Sequence, residues 1–425
     1  MNTAIVGVNW GDEGKGRMVD LLSADYDIVV RYQGGNNAGH TVVNEKGKFI
    51  LNLLPSGILR EGVVNVMGAG MVIDLKHLVE EMGRLKEKGI VITPENLKIS
   101  DRATICMPYH VMQDCLEEER LKDKKFGSTK RGIAPVYGDK YLKKALKTGD
   151  LLYSKNLSEK LFDIVEWKNL QFASYGKTVN YEEIAAWLST YGEQIKPFVC
   201  DTGDFLVKAD KQGKKIMFEA QLGALRDIDF GIYPYTSSSN TISAYAPVGS
   251  GAPSLKVDAA IGIVKAYSSC VGEGPFVCEL FGKEGNDLRE AGSEYGAATG
   301  RPRRVGGFDV IATRYGATVQ GATEIALTKI DILSSLPKIP VCVAYELDGK
   351  RIDYFPYGDQ LDRCKPVTEW KDGWMTDISV CRTIDELPTA ARDYVRFIEE
   401  QIECPITYIS VGAGREEYIK VDKKL

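Results

Sequence analysis

Two carboxylates, Asp12 and Glu13, sit inside a glycine-rich stretch that otherwise looks built to hold phosphate: GVNWGDEGKGR, residues 7–17. Glycines at 11, 14 and 16 let backbone N–H groups approach phosphate oxygens. A following helix N-terminus adds positive dipole, and Lys15 supplies a point charge. The spacing is not that of a Walker A loop. Counting back from Gly14 and Lys15, the glycine that pattern requires falls on Asn9, and Gly16 offers no hydroxyl for magnesium. Asp12 points to different chemistry: an acid beside bound phosphate can hold Mg²⁺ or take a proton from the phosphoryl acceptor. On these residues alone, a tight strand-to-helix turn with packing glycines is the open alternative.

A second glycine-rich loop, QGGNNAGHT, carries His40, one of three histidines. A histidine there can donate to a developing phosphate or oxyanion charge; the bland alternative is a turn-stabilising imidazole. His77, in a helical pattern, and His110 read as structural. A third loop, Gly296 to Arg304, holds three arginines suited to bidentate recognition of carboxylate or phosphate, although by itself it also fits an exposed basic loop. The fourth segment is Thr328-Lys329-Ile330-Asp331. A carboxylate beside a lysine matches the donor pattern of guanine, N1–H and exocyclic amine, but four residues are a short signal.

These loops need rigid elements behind them. Residues 3–8 read as a buried parallel-type strand, 16–24 as a helix and 27–32 as a second strand. Strand, loop, helix, strand, loop is the order of an α/β sheet with ligands at the strand ends. A hairpin with its turn at 44–47 follows. Residues 74–90 predict a helix with an Asp start and a Gly end, and 106–200 is largely helical. Further strands are expected at 215–220, 339–347 and 406–412, and 120–131 as an exposed basic loop.

The chain's 425 residues, 44% hydrophobic and 27% charged, describe an ordinary globular protein. A net charge of -5 argues against nucleic acid as the main partner. The nine cysteines form no C-x-x-C pair, which disfavours a disulfide framework or zinc site and suggests a reducing cytoplasm. No basic leader and no eighteen-residue apolar run is present, so neither secretion nor a membrane is expected.

Taken together, these motifs resemble the adenylosuccinate synthetase family. WGDEGKGR is similar to that family's WGDEGKGK, and RYQGGNNAGHT to its RYQGG-x-NAGHT. LLPSGIL, DIDFGIYPYTSSSN, GPF, the Gly296–Arg304 loop and TKID recur in the family's order. The resemblance implies one domain over residues 1–425, an α/β fold with a large, mostly parallel central sheet flanked by helices. It has a P-loop-like GTP-binding architecture and a largely helical insertion at about 100–200.

It also implies ligation of IMP and L-aspartate, driven by GTP hydrolysis, through 6-phosphoryl-IMP. Asp12 would be the base and, with the Gly39 carbonyl, a Mg²⁺ ligand; His40 would stabilise the transferring phosphoryl group. GTP would be held by Gly11, Glu13, Gly14, Lys15, Gly16 and Arg17, by Gly39 and Thr41, and by Arg303, Lys329, Ile330 and Asp331. Ser410, Val411 and Gly412 complete that set. IMP would contact Asp12, Lys15, Asn37, Ala38, His40 and Thr129, with Leu222, Ser237 and Arg301 at their family positions and Lys143 reaching across a homodimer. Aspartate would meet Ala297, Ala298, Thr299, Gly300, Arg301 and Arg303.

The chain departs from the family pattern around the nucleotide base. Lys130 stands where the family has glycine, Lys143 and Cys270 where it has arginines, Ser237 where it has threonine and Ala298 where its aspartate loop has threonine. FEAQLG (218–223) replaces FEGAQG, so the family glutamine aligns with Leu222 and Gln221 lies one place early. In an extended strand that slip turns a side chain to the opposite face, so either the chain bulges or the pocket lacks the amide. Two alternatives follow from the departures: a paralogue acting on another 6-oxopurine nucleotide such as GMP, or on another amine, and a GTP-binding regulator without ligase activity. Asp12 and His40 argue against the regulator, because binding alone requires neither.

Overall fold

The computed structural model describes residues 1–44, 47–122, 126–295, 300 and 302–421. A ten-stranded sheet runs through the centre. From one edge the order is Tyr418–Lys420, Ile406–Ser410, Glu324–Thr328, Ala259–Lys265, Asn2–Gly7 (β1), Ile216–Glu219, Ile28–Arg31 (β2), Val64–Met67, Leu97–Ser100 and Val199–Cys200. Neighbours are parallel throughout, except that Tyr418–Lys420 runs antiparallel at its edge. All six residues of β1 are buried. Its Ala4-Ile5-Val6 run is apolar on both faces, as a central parallel strand covered on both sides requires.

Parallel strands bring their C-terminal ends to one edge of the sheet. There the register sets Gly7 beside Ile263, Glu219 beside Ile5 and Arg31, and Lys265 beside Thr328. The glycine loops leave from this edge, where ligands of open α/β sheets bind. The first loop feeds the helix Lys15–Leu22 (α1). The second runs into the hairpin of His40–Asn44 (β3) and Gly47–Leu51 (β4), paired from His40↔Leu51 to Asn44↔Gly47; residues 45–46 of the expected turn lie outside the described residues.

The expected helix at 74–90 spans Leu75–Glu87; the Asp74 side chain caps it by accepting from the His77 N–H. Within 106–200 lie the helices Pro108–Leu121, Ile133–Leu142, Leu157–Phe172 and Tyr181–Ile195. Three of them share one apolar core with Leu75–Glu87, through Leu78, Tyr109, Leu161 and Leu188, whereas Ile133–Leu142 packs Ile133, Val136 and Tyr137 in a separate cluster with Val72 and Cys106. His110 is buried in this region, its Nε2 2.9 Å from Asp139, which also pairs with Lys168 at 2.6 Å. The strand expected at 339–347 is Lys338–Leu347 and belongs to a separate, smaller sheet. Among the described residues no helix is long and apolar enough to cross a membrane, and all nine cysteines are free thiols.

Candidate active site

The first loop's two acids do opposite things. Glu13 turns inward and is buried. Its Oε1 accepts from the N–H groups of Asn9 (3.1 Å) and Gly11 (2.8 Å), and its Oε2 pairs with Lys15 Nζ at 2.7 Å. Glu13 therefore organises the loop, and Lys15, expected to face phosphate, points inward to it. Thr328 Oγ1 donates to the Glu13 carbonyl at 2.7 Å, which fastens the Thr328–Asp331 segment to the same loop. Asp12 turns outward from a left-handed backbone (φ 59°) with its side chain 33% exposed; its Oδ2 lies 2.9 Å from Arg303.

Gly16 stands where a Walker loop has its hydroxyl. A Cβ there would come 2.7 Å from the Cβ of His40. The missing side chain is thus the condition for β3 to bring His40 against the start of α1. His40 Nδ1 is 2.5 Å from Glu219 Oε1, and both residues are buried. Glu219 also accepts from Ser56 Oγ at 2.6 Å and from the Ser56 N–H at 2.8 Å.

Burial alone would push the Glu219 carboxyl up, but His40, Arg31 and Ser56 outweigh it and hold the group below its ordinary range. The His40 imidazole moves down, because burial outweighs the Glu219 carboxylate. The pair is therefore ionised Glu219 accepting from the Nδ1–H of a neutral ring. His40 Nε2 is left buried without a protein partner, which fits a group meant to meet a ligand.

FEAQLG does not behave as an extended strand. The strand ends at Glu219, so the face-switching rule does not reach residues 221–222. Gln221 is fully buried and grips the second glycine loop with both ends of its amide: Nε2 donates to the Gly35 carbonyl (2.9 Å) and Oε1 accepts from the Gly35 N–H (3.2 Å). Gly34, at φ 79°, has no room for a side chain, since a Cβ would overlap Gln221 Oε1 at 1.6 Å. Leu222 adopts φ 63° and lies against Gly11, beside Asp12. The amide of this segment supports a loop, and an aliphatic side chain lies against Gly11, the residue before the candidate base. Gln221→Ala removes the donor to the Gly35 carbonyl and leaves the Gly35 N–H only its longer bond to Asn37 Oδ1 (3.3 Å), and is expected to cost about 1–3 kcal/mol in denaturant unfolding.

Arg303 bridges Asp12 and Glu294, with NH1 2.7 Å from Glu294 Oε2. Lys329 Nζ reaches the same carboxylate at 2.7 Å. Arg17 clamps the 410–417 turn, donating to Ser410 Oγ and to the carbonyls of Gly412 (2.5 Å) and Glu417 (3.1 Å). Ile330 and Val411 are buried, whereas Asp331 is half-buried close to Arg17, its carboxyl pushed up by burial. The structure thus assembles Asp12, His40, Arg17, Arg303, Lys329, Asp331 and the Ser410–Gly412 turn along one sheet edge.

Other expected residues lie on the loops around that edge. Asn37, Ala38, Gly39 and Ser237 are partly buried, and Thr41 and Thr129 are exposed. Lys130 keeps the left-handed backbone (φ 56°) that suits the family glycine, at a strain of ~1 kcal/mol. Lys143 is exposed at the left-handed end of Ile133–Leu142, after exposed Tyr141 and Leu142. Gly300 is described; Gly296, Ala297, Ala298, Thr299 and Arg301 lie outside the described residues. At Cys270, which replaces an arginine of the family pattern, the guanidinium of Arg226 arrives from another segment. Its NH2 is 3.0 Å from Cys270 Sγ and 2.5 Å from the Val271 carbonyl.

Sequence reasoning missed Glu219 and Glu294. An acid ending the apolar strand IMFE was the available signal for Glu219; Glu294, two residues before a glycine-rich loop, gave none.

An open parallel sheet whose glycine loops bring a carboxylate, an imidazole and three basic side chains to one edge defines a nucleotide-dependent enzyme of the α/β class. The adenylosuccinate synthetase family model matches residues 4–419, and the chain belongs to that family. It is 45% identical to the adenylosuccinate synthetase of Streptococcus sanguinis (strain SK36) over 98% of this chain and 97% of the relative. It superposes on the fully ligated adenylosuccinate synthetase of Plasmodium falciparum with a TM-score of 0.93, at 35% identity and 99% coverage of each chain. A cyanophage S-2L succinoaminodeoxyadenylate synthetase bound to dGMP and dATP shares the fold alone: TM-score 0.62, 18% identity, 100% of this chain and 96% of that one.

Proposed function

We propose that this chain joins IMP to L-aspartate with hydrolysis of GTP to GDP and phosphate, the committed step from IMP to AMP. The observation that carries the reading is Asp12. It is the outward acid of a loop already organised by Glu13, paired with Arg303 at the strand edge and following Gly11, against which Leu222 lies. An amide-like oxygen is a poor leaving group, so O6 of the base must be phosphorylated before an amine can displace it. Asp12 takes the N1 proton and makes O6 nucleophilic. His40 Nε2 meets the transferring phosphoryl group, and Arg303 orients the carboxylates of aspartate. Phosphoryl transfer then depends on positioning and charge neutralisation.

The Asp12 carboxylate and the Gly39 carbonyl are hard oxygen donors of the kind that suits Mg²⁺, and these two residues would hold it. That ion supplies charge neutralisation on the phosphates. The working unit is a homodimer in which Lys143, carried on an exposed corner, reaches the partner's nucleotide. Free, unpaired thiols fit a cytoplasmic setting.

Leu222 favours one second reading, a different 6-oxopurine nucleotide as acceptor. Purified protein with GTP, Mg²⁺ and aspartate is offered IMP or GMP, and phosphate release and the ultraviolet change of the product are followed. Turnover is expected with IMP. Turnover with GMP alone would establish the second reading, and GTP binding without turnover on either would leave a regulatory protein.

A further inference from the structure

The carboxylate of Glu294 is fully buried and saturated by cations from three separate elements. Its Oε1 accepts from Lys265 (2.9 Å), Lys329 (2.7 Å) and the Tyr267 hydroxyl (2.5 Å). Oε2 accepts from Arg303 (2.7 Å) and Lys265 (3.1 Å). The Arg303 N–H also donates to the Glu294 carbonyl at 2.9 Å, so the two residues are joined through backbone and side chain. A carboxylate this enclosed is costly to bury and is tolerated only because every lone pair has a partner.

The orientation of Arg303 matters most. Glu294 holds NH1. The opposite edge of the guanidinium, Nε and NH2, is the bidentate edge for a carboxylate. In this structure NH2 meets Asp12 at 2.9 Å, and Nε is buried without a partner. Asp12 therefore uses half of an edge that a second carboxylate could use whole. Lys329, on the other Glu294 oxygen, begins the segment that leads to Asp331.

We propose that Glu294 is a positioning residue. It anchors Arg303 by NH1 so that the Nε/NH2 edge can exchange between Asp12 and the carboxylate of the amino-acid substrate. Through Lys329 it ties that exchange to occupancy of the guanine nucleotide. The inference rests on the function proposed above for this site. Removing the anchor weakens aspartate and GTP together and spares IMP, because none of the side chains that bond Glu294 (Lys265, Tyr267, Arg303 and Lys329) is among the expected IMP contacts.

Glu294→Gln is the first test. It leaves Lys265 buried without its counter-charge, so Glu294→Gln/Lys265→Met, which removes both charges, is the second. In each folded variant KM for aspartate and for GTP is expected to rise about tenfold or more, within the usual range of site coupling, with KM for IMP unchanged. Affinity for a non-hydrolysable GTP analogue, measured directly, should fall with the GTP KM. A loss of kcat with all three KM values moving together, or aspartate and GTP values unchanged in the folded double variant, would overturn the role. If the wild-type protein fails to turn over IMP, the proposed function falls instead. The analogue affinity then decides alone: a drop in the double variant supports the Glu294–Lys329 tie, and no change removes it.

Discussion

Asp12→Asn is expected to lower phosphoryl transfer about 10²–10⁴-fold, the contribution of a positioned general base, while GTP still binds. The side chains are isosteric, and asparagine is among the few residues that accept a left-handed backbone readily, so the φ of 59° is preserved. The loop does not depend on Asp12 for its shape. Glu13 gathers the Asn9 and Gly11 N–H groups and Lys15, and Thr328 fixes the Glu13 carbonyl. Arg303 keeps its anchor on Glu294. What the amide lacks is the basicity to take the N1 proton. Rapid-quench measurement of GDP formed in the presence of IMP reads the step, and titration with a non-hydrolysable GTP analogue reads the binding. An asparagine variant that transfers phosphoryl at the wild-type rate would remove Asp12 as the base.

Much of this arrangement was legible because it is local. β1, the glycine loop and α1 follow one another in sequence, and the periodicity from strand to helix marks where they change. The loop was first legible as a broken Walker pattern, and the structure supplies the reason for each break. Gly16 cannot carry a hydroxyl because His40 fills that space, and the second acid serves the loop's own backbone. Contacts that join distant segments were not legible. Glu219 meets His40 across 179 residues and Gln320 donates to the Gly7 carbonyl across 313; no local pattern encodes such pairings.

Position 221 shows a subtler failure. Strand alternation predicts a change of face for a one-residue slip, but the strand stops at Glu219 and the following backbone turns left-handed at Leu222. There the side-chain direction is set by the loop and by what Gly34 and Gly35 leave open. Cys270 shows the same in reverse, since a missing arginine is met by Arg226 from another segment.

Glu219→Gln tests the imidazole through its support. To donate to a phosphoryl oxygen, His40 must carry a proton on Nε2 while Nδ1–H stays on Glu219. That charged ring is disfavoured by burial and favoured by the carboxylate, and an arriving phosphate adds a second favourable charge on the other side. Glutamine keeps the shape and removes the negative charge, so the imidazole pKa in the complex falls further. Activity that needs the protonated ring is present below that pKa and lost as pH rises through it. The alkaline limb of the kcat profile is therefore expected to move to lower pH. At neutral pH the loss should be about 10²–10³-fold, similar to deleting a transition-state donor, and His40→Ala should lose that much where the wild-type ring is protonated and show no limb from this imidazole. A purely structural role for Glu219 would instead lower the whole profile without moving its limb, and that result would separate the carboxylate from the chemistry of His40.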